Sequence, residues 1–99
     1  MKTKYFISKN TEIAEDYKFI RNLLNMTMSI FGDFIGVSYK TVSRIENTSK
    51  VSKKTLFKTL KSISNIFNDK QLVYSLEISK LDELTRFKNK IEAILGETK

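Results

Sequence analysis

The sequence contains neither cysteine nor histidine. Without cysteine, no disulfide can cross-link the chain and no thiolate can bind a metal. Without histidine, the usual general base and the usual zinc ligand are missing as well. There is also no glycine-rich phosphate loop, and no two carboxylates are spaced in a way that suggests a shared site. These absences predict that the chain is not an enzyme and has no metal or cofactor site.

Long apolar segments are absent, and the chain has no proline and only three glycines. No run of apolar residues approaches the roughly 20 that a membrane-spanning helix needs, and no signal-peptide h-region precedes the first predicted helix. We therefore expect no contact with a membrane and a cytoplasmic location. The 99 residues, 40% of them apolar, allow one compact domain with a modest core.

Acidic residues are scarce in the middle of the chain, and this asymmetry carries most of the net charge of +7. Residues 1–10 contribute +3, residues 11–37 contribute −2, and residues 62–99 contribute nothing. A basic cluster is often only a solvated surface, but it also favours a polyanionic partner. Residues 38–61 contribute +6, because Glu46 alone opposes the bases Lys40, Arg44, Lys50, Lys53, Lys54, Lys58 and Lys61.

Two short helices joined by a tight turn are predicted within residues 27–47. Apolar residues recur at helical intervals on both sides of the turn. Gly36 stands at the corner, where a helix commonly ends in a left-handed residue that glycine adopts without strain. Gly32 lies inside a helix, where glycine costs roughly 1 kcal/mol relative to alanine, so we expect the second helix to pass close to it. The residues that set this pattern are Phe31, Gly32, Ile35, Gly36, Val37, Val42 and Ile45.

Four helices are predicted in the first two thirds of the chain, each preceded by a residue that can cap its N-terminus. The first carries the apolar stripe Ile13, Tyr17, Ile20 and Leu24. Residues 48–51 are expected to form a loop. The expected caps are Asn10 or Thr11 for a helix to about residue 25, Thr27 for residues 28–35, Ser38 for a helix to about residue 47, and Ser52 for residues 53–67.

The segment after residue 67 has a less certain pattern. Asn68 and Asp69 break the fourth helix, and residues 72–78 partly alternate between apolar and polar, which predicts a strand. A fifth helix is the alternative. Residues 4–8 are rich in aromatic and β-branched residues, so we expect a strand there that pairs with residues 72–78, in the same chain or across a dimer. Residues 80–95 show an amphipathic stripe and should form a final helix that ends at Gly96.

The turn and its flanking residues resemble the helix-turn-helix of the Cro/CI (Xre-type) repressors, and the resemblance covers residues 13–67. Three positions depart from the family pattern. Met28 stands where the family often has a phosphate-binding glutamine, and Phe34 is an aromatic at a usually polar position. Thr48 replaces a common glycine, so Asn47 is expected to take the left-handed cap instead. Further matches are Arg21, Val37 and Ser38, Ser43 to Glu46, Thr55 and Leu56, and Lys58.

The resemblance implies a mainly α fold with a four-helix Cro/CI-like DNA-binding domain at residues 11–68. Residues 1–10 would form an N-terminal arm or strand. Residues 69–99, with the added C-terminal strand and amphipathic helix, would serve dimerisation or another protein interaction. Whether the last helix packs within the chain or across a dimer stays open.

The resemblance also implies roles for the polar residues around the third helix, which would lie in the major groove of DNA. Tyr39, Lys40 and Arg44 would contact base edges. The other reading of each residue is an ordinary solvent-facing side chain. Glu46 is expected to form an internal ion pair, with Arg21 as its partner. The residues expected at phosphates are Ser38, Thr41, Lys50, Lys53 and Lys54.

The function predicted is a sequence-specific regulator of transcription that binds double-stranded DNA. We expect a repressor that binds a palindromic operator as a homodimer, from a low-GC bacterium or its mobile elements. One alternative is a plain helical hairpin that serves only the core. Another is an antitoxin, or a different protein-binding module, whose residues 69–99 engage a partner protein.

Overall fold

The computed structural model describes residues 5–7 and 12–97, with side chains for residues 13–96. It is mainly helical, with one short antiparallel pair of strands. The elements in chain order are β1 (Tyr5–Ile7), α1 (Glu12–Leu23), α2 (Met28–Ile35), α3 (Tyr39–Thr48), β2 (Lys50–Ser52), α4 (Lys53–Asn68), α5 (Lys70–Ser75) and α6 (Ile78–Glu97).

Three of the predicted helix caps are confirmed. The hydroxyls of Thr27, Ser38 and Ser52 each accept a hydrogen bond from the backbone amide three residues later, at 3.0–3.2 Å. Each bond satisfies an amide that has no partner within its own helix. Since these caps act within one turn of chain, the starts of α2, α3 and α4 match the sequence prediction. The expected caps of α1, Asn10 and Thr11, lie outside the described residues.

Tyr17 of α1 lies at the centre of the core. Its ring is fully buried and makes edge-on contacts with Phe31 of α2 and Phe87 of α6, at centroid distances of 6.2 Å and 5.3 Å. Its hydroxyl lies 2.9 Å from Oγ1 of Thr59, which itself donates to the carbonyl of Thr55. The phenol must therefore be the donor to Thr59, because the threonine hydroxyl has one proton.

The predicted strand at residues 72–78 is wrong. Residues 70–75 form α5 instead, and α6 begins at Ile78. The carboxylate of Asp69 accepts hydrogen bonds from the amides of Gln71 and Leu72, at 3.1 Å and 3.2 Å, and so starts a new helix. A strand needs a neighbouring strand to hydrogen-bond its backbone amides and carbonyls. A helix such as α5 forms its backbone hydrogen bonds with residues three or four positions away. The alternative of a fifth helix is confirmed.

The predicted pairing of the N-terminal strand is also wrong, because residues 72–78 do not form the strand with which it was expected to pair. β1 pairs with β2 in an antiparallel register, with Phe6 opposite Val51. The predicted loop at residues 48–51 thus contains the start of a strand. Val51 is buried there, with 1% of its surface exposed, so a core contact distant in sequence accounts for the strand.

α6 packs within the chain. It contacts α1 and α4 and buries the apolar side chains Leu84, Phe87, Ile91, Ile94 and Leu95 in the shared core. The ammonium of Lys90 donates to the carboxylate of Asp16 in α1 at 2.8 Å. The helix continues through Gly96 to Glu97, so the predicted end at Gly96 is wrong. The core therefore does not divide at residue 68.

Candidate nucleic-acid interface

The corner between α2 and α3 is built around two glycines. Gly36 has a φ of 84°, and its amide and that of Val37 both donate to the carbonyl of Gly32 at 2.8 Å. A Cβ at Gly32 would lie 2.7 Å from the carbonyl oxygen of Val37. The close approach that was expected from the second helix is made by the backbone directly before that helix, at Val37 and Ser38. Together the two glycines allow α3 to begin directly after the turn while it packs against α2.

Helix α4 closes this corner from the other side. The ammonium of Lys58 donates to the carbonyl of Gly36 at 3.1 Å, and the hydroxyl of Ser62 donates to the carbonyl of Phe34 at 3.0 Å. Carbonyls at the end of a helix lack partners in that helix, and a cation is favourable there. Lys58 thus has a structural role within the basic segment.

Helix α3 presents one buried face and one outward face. Val42, Ile45 and Glu46 are buried, and the residues half a helical turn away point outward. Tyr39 and Lys40 are exposed at the start of the helix, with 56% of Tyr39 accessible, and Arg44 is half-buried one turn later. The three residues predicted to contact bases therefore occupy the first two turns of α3.

The predicted ion pair of Glu46 is confirmed. Its carboxylate accepts from Nε of Arg21 at 2.7 Å and from Nη2 at 3.1 Å, while Nη1 donates to the carbonyl of Met26 at 3.1 Å. The Glu46 side chain is 1% exposed, and its hydrogen bond raises the pKa of Arg21 above the ordinary arginine value. The only acid of residues 38–61 thus faces inward and is neutralised, which leaves the outward charges of this segment positive.

The predicted phosphate-binding residues lie at the starts of α3 and α4 and in β2. Ser38 is exposed but its hydroxyl already caps α3, and Thr41 is half-buried beside it, with 3.2 Å between their hydroxyls. Lys50 is exposed in β2, directly after α3. Lys53 and Lys54 are exposed in the first turn of α4, where the helix dipole disfavours cations. An anion near this turn would offset that cost.

One residue of the outward face was missed by sequence reasoning. Asn47 is exposed and its amide nitrogen donates to the hydroxyl of Ser43 at 3.2 Å. Its spacing of seven residues from Lys40 places both on one face of the helix, and that spacing was the available signal. Asn47 was instead expected to take the left-handed cap, which is wrong. Ser49 takes it, with a φ of 60°.

The two departures at Met28 and Phe34 involve the core. Both side chains are half-buried against it, and the ring of Phe34 lies 6.0 Å from that of Phe31. Met28 therefore supplies packing at the position where the family pattern places a phosphate contact.

Within residues 12–97, no helix has both the length and the hydropathy required to span a membrane. In the same part of the chain, no group of three acidic residues is placed to hold a metal ion. No protein-family model, curated protein or solved structure matches this chain. The functional proposal below therefore rests on the geometry of α2 and α3 and on the positive charge of residues 38–61.

Proposed function

We propose that this chain is a sequence-specific DNA-binding regulator of transcription with a Cro/CI-like helix-turn-helix, in which α3 is the recognition helix. The proposal rests on two features that occur together around α3. A tight glycine corner presents α3 outward, and the one acid among eight charges of residues 38–61 is turned inward against Arg21.

The outward face of α3 suits the major groove, which is about 12 Å wide and admits one α-helix. In a helix-turn-helix the N-terminal residues of the second helix contact base edges. Here those residues are Tyr39 and Lys40, followed one turn later by Arg44. Lysine and arginine can donate to O6 and N7 of guanine, and the Tyr39 ring can contact a thymine methyl.

Phosphate contacts would come from the residues on either side of α3. Lys50, Lys53 and Lys54 are exposed, and two of them stand at the N-terminus of a sixteen-residue helix. Ser38 and Thr41 stand at the start of α3. Such contacts set the position of a protein on DNA and carry no sequence information themselves.

The regulator is proposed to be a cytoplasmic repressor that binds a palindrome as a homodimer, because one recognition helix offers little area for tight binding. The half-sites would then lie about 34–36 Å apart, one helical turn of DNA. The antitoxin alternative has less support, since an antitoxin segment must be free to engage its partner. α6 instead contributes five buried side chains to the core, whereas α5 has no buried residue.

Selection of the full chain on random duplex DNA at moderate salt tests this proposal. The expected result is one enriched motif with inverted half-sites. A matched pair of variants gives the control: Arg44→Ala should relax the motif at one base position, whereas Arg86→Ala, in an arginine whose side chain is 75% exposed on α6, should leave the motif unchanged. If the wild-type chain enriches no motif, the proposal is overturned.

A further inference from the structure

One face of α4 combines an exposed aromatic ring with two exposed lysines. Lys54, Phe57 and Lys61 are all exposed, Phe57 by 54%. Their spacing of three and four residues places them within about 60° of one another around the helix and within about 10 Å along it. We name this face the basic–aromatic strip. A single exposed apolar residue is ordinary on a protein surface, so the significance of Phe57 depends on the charge around it.

The positive charge of α4 is not compensated within the helix. Its sixteen residues include four lysines and no acid. Lys54 and Lys58 stand four positions apart, where like charges destabilise a helix, and Lys54 lies in the first turn, where the helix dipole disfavours a cation. In α6, by contrast, the ammonium of Lys88 lies 3.3 Å from the carboxylate of Glu92. Both costs in α4 are offset when an anionic partner binds.

We infer that the basic–aromatic strip docks an acidic segment of a partner protein. Carboxylates of that segment would pair with Lys54 and Lys61, and an apolar side chain between them would pack on the ring of Phe57. An apolar centre with a polar rim is the usual arrangement of a protein interface. Because the charges of two partners are complementary across an interface, the positive rim here requires an acidic partner.

The exposed ring of Phe57 favours a protein over DNA as the partner. The backbone of duplex DNA presents charged phosphates to an approaching helix, and phosphate contacts need only the lysines. At protein interfaces, in contrast, buried aromatic side chains often supply much of the binding energy. A ring between two ammonium groups therefore matches an acidic protein segment that carries one apolar side chain.

The strip adjoins the proposed DNA-binding surface. Lys58, next to Phe57 in sequence, donates to the carbonyl of Gly36 at the corner before α3, and Lys54 is one of the proposed phosphate contacts. If the proposed function holds, an acidic segment on the strip would compete with DNA for Lys54, and such a partner would release the regulator from its operator. The docking itself does not depend on DNA binding. A contact of this size belongs to the small, transient class of interfaces.

Two synthetic peptides test the docking on the full chain without DNA. Both are acidic, with glutamates about two helical turns apart. One peptide carries leucine midway between the glutamates, and the other carries alanine there. Proton–nitrogen NMR spectra recorded during each titration report both the affinity and the residues that shift. The wild-type chain should bind the leucine peptide about tenfold more tightly than the alanine peptide, and the largest shifts should lie in α4.

Three variants locate the contact. Phe57→Ala should bind both peptides alike, because the ring that distinguishes them is absent. Phe19→Ala is the matched control, since Phe19 is 51% exposed on α1, and it should keep the wild-type preference for leucine. Lys61→Gln removes one ion pair and should weaken both peptides by the same factor, up to about fivefold. The NMR spectrum of each variant also shows whether its fold is retained.

Equal affinity of the two peptides for the wild-type chain overturns the inference, as does a preference for leucine that survives in Phe57→Ala. A random DNA duplex represents the other class of partner. If Phe57→Ala weakens binding of the duplex as much as binding of the leucine peptide, the strip is a nucleic-acid contact and the inference fails. A wild-type chain that enriches no DNA motif but binds the leucine peptide on α4 would overturn the proposed function and support the docking.

Discussion

The guanidinium of Arg21 forms two nearly parallel hydrogen bonds to the carboxylate of Glu46, at 2.7 Å and 3.1 Å. The pair joins α1 to α3, and a third bond from Arg21 to the carbonyl of Met26 adds the chain between α1 and α2. A buried carboxylate is stable only with such partners. The orientation of the proposed recognition helix is therefore coupled to this one pair.

Breaking the pair from one side should destabilise the protein strongly. Arg21→Met leaves the Glu46 carboxylate buried without its partner, and we expect a loss of about 3 kcal/mol in the free energy of unfolding. The double variant Arg21→Met with Glu46→Leu should recover part of that loss, since it removes the stranded charge. Urea unfolding measures both. Arg86→Met, at an exposed arginine, is the control and should change stability by less than about 0.5 kcal/mol.

Gly32→Ala should destabilise the corner although alanine favours helices. The new Cβ would lie 2.7 Å from a backbone oxygen of Val37, and such overpacking costs about 1–3 kcal/mol. Gly96→Ala is the matched control, because nothing lies within 4 Å of its Cβ position in α6. That variant should gain up to about 1 kcal/mol from helix propensity. Equal changes in the two variants, measured by thermal unfolding, would contradict the role of Gly32.

Alkaline pH should destabilise the protein through Tyr17. Burial raises the pKa of Tyr17 above its ordinary value, so the folded state keeps the neutral phenol while the unfolded chain ionises near pH 10. This contribution is fully present below about pH 10 and is lost by about 1.4 kcal/mol per pH unit above it. Tyr17→Phe should flatten the decline of stability above pH 10. The control, Tyr39→Phe, alters an exposed tyrosine and should retain the wild-type slope.

A chain that ends at residue 68 should not fold. Removing α6 takes away five buried apolar side chains, each worth roughly 1.5–3 kcal/mol when buried. Their sum is comparable to the whole stability of a small domain, about 5–15 kcal/mol. Circular dichroism and proton NMR of the truncated chain measure the result. A cooperative folded unit would show that α6 is dispensable to the core.

Two variants should separate sequence reading from phosphate binding if the proposed function holds. Arg44→Ala should cost about 1–3 kcal/mol on the selected site and relax preference at one base position. Lys53→Ala should weaken all sequences alike and reduce the salt slope by about one. Fluorescence anisotropy on selected and random duplexes at several salt concentrations measures both. Identical losses on the two duplexes for both variants would contradict the assignment of roles.

Part of the fold was predictable because it depends on near neighbours along the chain. The Ser38 and Ser52 caps and the left-handed Gly36 are set within one helical turn, and short-range chemistry of this kind is visible in the residue order. The apolar stripe of α1 also led to the correct buried face. The pair of Arg21 and Glu46 was predicted as well, because a lone acid among bases needs a cation.

Other parts were not predictable because two arrangements satisfy the same local pattern. Residues 72–78 alternate as a strand would, yet Asp69 caps a helix there, and among the described residues the two strands pair with each other. Ser49 rather than Asn47 takes the left-handed position after α3, and its amide donates to the carbonyl of Ile45 at 2.9 Å. In both cases a hydrogen bond that the residue pattern does not show decides which conformation the backbone takes.

The sequence by itself determined the starts of α2, α3 and α4, the corner at Gly36 and the concentration of positive charge in residues 38–61. These features depend on backbone conformation and on composition, which act over a few residues. Only the tertiary structure decided that α6 fills the core against α1 and α4, that β1 pairs with β2, and that Lys58 and Ser62 bond the carbonyls at the corner. Those contacts join elements that other elements separate along the chain, and their partners are chosen by which surfaces exclude water together.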